Sequence, residues 1–205
     1  LCLPLMTLAQ QTYVPDDNFE AYLEANGMGN GTANDDYVLT SNINTVTSLN
    51  VNSQNISDLT GIEDFIALST LKFGWNQLTS VNLSSNTALT VLHCFNNQLT
   101  SLDLSLNTAL EFLQCNNNQL TCLNLRNVDQ QNMTGFIAFN NPCLACIDVD
   151  DPIWATINWT PSGLNIAPVA SFSINCPGNC TSSGNGYPLN MNICQGDSLY
   201  LQGAY

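Results

Sequence analysis

The chain has 205 residues and 44% of them are hydrophobic, so it can bury a core and is not a disordered tail. Charged residues make up only 9%, and with a net charge of −14 the only permanent cations are Lys72 and Arg126. Nucleic acid is excluded, because neutralising phosphates needs clustered Lys and Arg, and so is docking on an anionic membrane; a cationic partner or calcium suits the charge better, and solubility of an exported protein is the plainer reason for it.

Residues 1–10, Leu-Cys-Leu-Pro-Leu-Met-Thr-Leu-Ala-Gln, read as the remnant of a secretory signal peptide, an apolar run followed by the Thr7-Leu8-Ala9 cleavage pattern. The alternative is a short buried strand. The run is too short to span a bilayer, which takes about 20 apolar residues, and no other segment reaches that length, so no membrane insertion is expected. From Val14 to Gly27 the pattern predicts one helix. Pro15 stands near its start, acids fill its first turn, Phe19, Tyr22 and Leu23 form a stripe, and Gly27 is the stop. Residues 12–44 are therefore expected to form an N-terminal helical cap over the open end of a repeat. The loop Asn26–Asp36 is similar to a calcium loop but lacks the regular acidic spacing and the closing Glu, so no metal is assigned and a flexible loop is the alternative.

From residue 45 to 160 the chain repeats itself. Blocks beginning at Ala67, Ala88 and Ala109 bring Leu71, Leu92 and Leu113 into line, then Asn76, Asn97 and Asn118, then Leu78, Leu99 and Leu120. The spacing is 21, since 88 − 67 and 109 − 88 both equal 21. An earlier copy places Leu49 before Leu71, and a looser later copy uses Ile137, Leu144, Ile147 and Val149, giving about five coils. Around each aligned Leu the apolar residues alternate with period two, so each coil contributes a short strand with those side chains inward. The Asn that follows can bond both the turn and the neighbouring coil. Leu99, Leu102, Leu104 and Asn107 repeat the frame within one coil, which predicts strands or extended turns on both sides and little helix. Residues 161–192 read as a linker, glycine-rich and polar from Asn175 to Gly186. Residues 193–205 read as the opening of a further extracellular module, with the natural protein continuing past Tyr205.

These blocks resemble the nested short leucine-rich repeats of bacterial surface proteins, the IRREKO class, and more loosely the internalins. The helix at 14–27 looks like the N-terminal cap of Bacteroidetes repeat proteins, and Cys146 to Trp159 resembles their terminal coil. The resemblance covers roughly residues 12–160. It implies a leucine-rich-repeat solenoid of short parallel β-strands, with a mostly extended or irregular convex side and a helical cap at its N-terminus. It also implies export by way of a C-terminal sorting domain that this sequence does not contain.

Nine cysteines fit an exported chain, in which disulfides are permitted. Cys94 and Cys115 take inward strand positions and are read as a buried thiol ladder, with a disulfide as the alternative. Cys122 and Cys146 take equivalent outward places in adjacent coils and are read as a disulfide staple. Cys176, Cys180 and Cys194 offer a further bridge. The C-x-x-C at Cys143 and Cys146, with Cys176 and Cys180, has the look of a zinc site, but four thiolates belong in a reducing cell. His93 points outward, and no nucleophile or facing carboxylate pair accompanies it, so no catalytic residue, cofactor or metal is assigned.

The outward rows of the strand face are the candidate binding surface. One row reads Asn50, Lys72, His93, Gln114 and Ala138, and the next Asn52, Gly74, Phe95, Asn116 and Asn140, with Trp75 at the edge. The candidate ligand-binding residues are Asn50, Lys72, Trp75, His93, Phe95, Gln114 and Asn116; the bland alternative is that Trp75 and Phe95 cover turn backbone. The expected function is a secreted or cell-surface module, monomeric and non-catalytic, that binds an extracellular protein or glycan in adhesion. A structural spacer, or an accessory region of a hydrolase whose catalytic domain lies beyond Tyr205, are the alternatives.

Overall fold

A computed structural model describes residues 9–163, 165, 166, 168 and 170–176. The expected signal remnant, save its last two residues, the expected linker past Cys176 and the module from 193 lie outside the described residues, as do Cys180 and Cys194.

The chain opens with strand β1 (Gln11–Tyr13), helix α1 (Asp17–Ala25), strand β2 (Tyr37–Leu39) and the short helix α2 (Thr40–Ile43), with β1 and β2 antiparallel. Helix α1 starts at Asp16, whose Oδ1 accepts from the backbone N–H groups of Asn18 and Phe19. Asp17 and Glu20 lie in its first turn, where the helix dipole favours negative charge. Phe19 and Leu23, one turn apart, are fully buried, and Phe19 stacks on Phe65 with ring centroids 6.4 Å apart. The other oxygen of Asp16 accepts from the backbone N–H and hydroxyl of Ser57 and from Asp58 N–H. The helix is thus bound to the first coil by both packing and a shared carboxylate.

The body is a solenoid with two parallel sheets. One contains β3 (Ser48–Asn50), β4 (Thr70–Lys72), β5 (Val91–His93), β7 (Phe112–Gln114) and β9 (Gly135–Ile137), in that order. The other contains β6 (Ser101–Asp103), β8 (Cys122–Asn124), β10 (Cys146–Asp148) and β11 (Ser171–Ser173). Each strand is only three residues long, and the in-and-out alternation runs on past it into the turn. The core is two inward rows from the first sheet, Leu49, Leu71, Leu92, Leu113 and Phe136, then Val51, Phe73, Cys94, Cys115 and Ala138, all buried. Leu102, Leu123 and Ile147 close it from the second sheet. Strand β11 lies inside the stretch read as linker from 161 and extends the second sheet through β10. Between β10 and β11 in the chain, the helix α3 (Pro152–Asn158) follows its cap Asp151, whose carboxylate accepts from Trp154 N–H.

The outward row expected to end at Ala138 ends at Ile137 instead. Gln114 pairs with Ile137, and Ala138 is fully buried. The coil that spans the insertion at 127–134 is longer than its neighbours, and a one-residue slip in alignment moves every side chain to the opposite face of a strand.

Asparagine side chains tie coil to coil. Asn97 Nδ2 donates to the carbonyls of Cys94 in its own coil and Phe73 in the preceding one, while its Oδ1 accepts from Leu78 N–H. Asn76, Asn118 and Asn141 repeat the pattern, each donating backward to Val51, Cys94 and Cys115 in turn. Asn86 and Asn107 do the same for the second half of the coil through Nδ2, with their Oδ1 atoms buried and unpartnered.

Candidate functional site

Three outward rows cross the five-stranded sheet. The first is Ser48, Thr70, Val91, Phe112 and Gly135; the second is Asn50, Lys72, His93, Gln114 and Ile137. The third continues past the strands as Asn52, Gly74, Phe95, Asn116 and Phe139, linked by backbone bonds from each coil to the next. Four of the predicted residues, Asn50, Lys72, His93 and Gln114, thus stand side by side in one row, and Phe95 and Asn116 are neighbours in the next. Asn116 is 5% exposed, and its Oδ1 has no hydrogen-bond partner.

The aromatic groups form a connected band. Trp75 meets Phe95 edge to face at 4.6 Å, His93 lies 6.3 Å from Phe95, and His93 stacks on Phe112 at 5.0 Å. Glycines make room for the rings. A Cβ at Gly74 would come within 2.8 Å of the Phe95 ring, and one at Gly135 within 2.5 Å of Phe112. The sequence reading missed Phe112, Ile137 and Phe139 on this face. Phe112 was legible from period-two spacing with Gln114.

Trp75 differs from its counterparts. The residue after the third row has positive φ in every coil, as Ser53, Trp75, Asn96, Asn117 and Asn140. Asn tolerates the left-handed conformation by local hydrogen bonding, whereas a tryptophan at φ 54° is strained. Trp75 is also 58% exposed and stands over an open hollow of about 540 Å³ that Ser53, Asn55 and Gln77 line with it.

His93 Nδ1 is 2.9 Å from Gln114 Oε1. Burial holds its pKa below the ordinary imidazole value, the Gln114 bond opposes this, and the nearby charge of Lys72 adds to the lowering. His93 on this face is therefore a neutral, flat donor–acceptor at pH 7.

The remaining sequence candidates fall elsewhere. Cys94 and Cys115 are free and buried, with burial pushing the Cys115 thiol up to about 12 and Cys94 well above its usual value. The expected Cys122–Cys146 staple is not formed. Cys146 is bonded to Cys176, their Cα atoms 5.8 Å apart, and Cys122 and Cys143 belong to other disulfides. In-register neighbours on parallel strands keep their side chains parallel at about 4.8 Å, wider than the roughly 3.8 Å between bridged Cβ atoms, whereas Cys176 turns back over β10 past the end of β11. The bond also removes two of the four thiols of the zinc reading. In the loop Asn26–Asp36, backbone N–H groups converge on helix α1: Asn30 and Gly31 donate to Glu24, and Asp35 and Asp36 to Glu20. Carboxylates of Asp17, Glu20 and Asp36 lie within 4.8 Å of one another beside it. Among the described residues, no helix is long and apolar enough to cross a membrane.

No family model and no curated protein matches the chain. Solved structures do. The functional domain of InlJ from Listeria monocytogenes, described as including a cysteine ladder, is 30% identical with a TM-score of 0.57, over 70% of this chain and 34% of that one. An internalin, InlF, from the same organism is 18% identical with a TM-score of 0.51, over 82% of this chain and 61% of that one. The chain therefore spans about a third of the first and under two thirds of the second. The architecture is that of an internalin-like leucine-rich-repeat solenoid.

Proposed function

We propose that this solenoid is a secreted or cell-surface binding module of a bacterial protein with nested 21-residue repeats, and that it engages an extracellular protein or glycan through the five-stranded face without chemistry. The observation that carries this is Trp75. It is a bulky, exposed ring held at φ 54° in a slot that three other coils fill with Asn, beside a hollow and against Phe95. Strain of this kind, of order 1–3 kcal/mol, is retained where a site uses the residue. Exposed Trp in a rigid, preformed surface is the usual anchor of recognition. The likeness to internalins agrees with a binding role. The buried pair Cys94 and Cys115, in register on adjacent coils, is this chain's counterpart of the cysteine ladder named for the InlJ domain. The α1 region serves as the N-terminal cap of the module, and the disulfides suit an oxidising compartment.

The test is a screen of the purified chain against panels of extracellular proteins and glycans, repeated with the double variant Trp75→Asn, Phe95→Ala. Each specific ligand is expected to lose at least tenfold in affinity. Ligands that bind the variant as tightly as the parent would place the site elsewhere.

A further inference from the structure

The charge layout narrows the ligand. The chain has 16 carboxylates against one lysine and one arginine. Arg126 lies 3.8 Å from Asp150, and among the described residues no carboxylate comes within ion-pair distance of Lys72. None of the three outward rows around Lys72 contains Asp or Glu. In so acidic a chain, an unpaired, half-buried lysine on the second strand of an acid-free sheet is complementary to one negative group. It is poorly matched to a run of them, which the remaining field would repel.

The surroundings of Lys72 specify the rest. On one side lie the Trp75 and Phe95 rings, an apolar surface with a 78° angle between the planes. On the others lie Asn50 in the preceding coil and the His93–Gln114 pair in the following two. Amides and a neutral imidazole both donate and accept, which matches hydroxyl groups, themselves donors and acceptors. Strand spacing sets Asn50 and Gln114 about 14 Å apart with Lys72 between them.

We infer that the strand face takes a sugar chain bearing a carboxylate, whose carboxylate pairs with Lys72 while a pyranose ring lies against Trp75 and Phe95 and hydroxyls reach Asn50 and Gln114. This rests on the strand-face reading above and adds the chemical class of the ligand.

The probes are oligosaccharides ending in glucuronic or neuraminic acid, the same saccharides with the carboxyl reduced to an alcohol, and a glutamate-containing peptide. They are titrated into the full chain by calorimetry, with amide NMR shifts locating the contact. The expected result is that a carboxylated saccharide shifts residues 72–95, binds more weakly as salt rises, and loses at least tenfold in affinity on carboxyl reduction or in Lys72→Gln. Arg126→Gln should bind as the parent does. Binding that survives carboxyl reduction and Lys72→Gln overturns the carboxylate pairing. Saturation of the face by the peptide with no response to the sugars overturns the sugar class, while leaving the strand face as the binding surface. If neither sugar nor peptide shifts the face, the inference fails, and the protein and glycan screen with the Trp75, Phe95 variant then decides separately whether the face binds anything.

Discussion

Asp16 joins the first helix to the first coil with a single carboxylate, one oxygen capping α1 and the other serving Ser57 and Asp58. Burial raises its pKa, but the hydrogen bonds from Ser57, Phe19 and Asp58 outweigh that and hold it below the usual carboxylate value. A carboxyl with a depressed folded pKa contributes stability above its unfolded value near 4, and that contribution is lost as pH falls through the folded value. Asp16→Ala should therefore cost about 1–2 kcal/mol in urea unfolding at pH 7, and the gap to the parent should narrow below pH 4. A gap that stays constant with pH would mean that the charge is not its origin. Trp75 gives the opposite expectation. Trp75→Asn restores the residue that the left-handed slot accepts in Asn96 and Asn117, so thermal unfolding should occur at higher temperature, by about 1 kcal/mol, while binding weakens. A variant that is both less stable and unable to bind would make Trp75 a structural residue.

At the scale of the element, buried asparagines add to the pairing of strands that hold only three residues each. Asn97→Ala leaves the carbonyls of Phe73 and Cys94 and the N–H of Leu78 short of partners inside the core. The expected cost is about 3 kcal/mol or more, and hydrogen exchange at Leu78 should accelerate relative to that at Leu120. Equal exchange at both sites would argue that water or rearrangement fills the gap. The ladder was legible in the sequence because Asn76, Asn97 and Asn118 recur in phase, and so were the inward leucines. The last coil was not. The insertion before Phe136 broke the phase, and single-residue alignment cannot distinguish Ile137 inward from Ala138 inward when both are apolar. Nor could the sequence show that Trp75 sits at positive φ, because backbone conformation there is set by the pairing of Trp75 N–H with Phe95 carbonyl in the next coil.

Across the whole molecule, the two ends are held by different means. The N-terminal end relies on α1, Phe19 and Asp16, and the C-terminal end on Trp159, packed 4.4 Å from Phe136 and 5.8 Å from Phe172, and on the Cys146–Cys176 bond. That bond closes a chain separation of 30 residues, worth roughly 3–4 kcal/mol by loop entropy. Mild reduction should release β11 first, seen as faster exchange at Ser171 and Ser173, while the sheet from β3 to β9 persists. Simultaneous loss of both sheets would show that the solenoid unfolds as one unit. The choice of Cys176 over Cys122 as partner was beyond the sequence, because it depends on β11 pairing in a stretch that has a linker's composition. Every junction between coils is held by its own strand pairing and asparagine bonds. A pull along the solenoid axis therefore loads these junctions in series and frees coils one after another. A coil of about 21 residues extends to roughly 70 Å of chain while giving up only about 4.8 Å of stacked height. The repeat domain is therefore a store of slack, released from the end without the Cys146–Cys176 bond, that would let a tethered protein lengthen under load before its attachment fails.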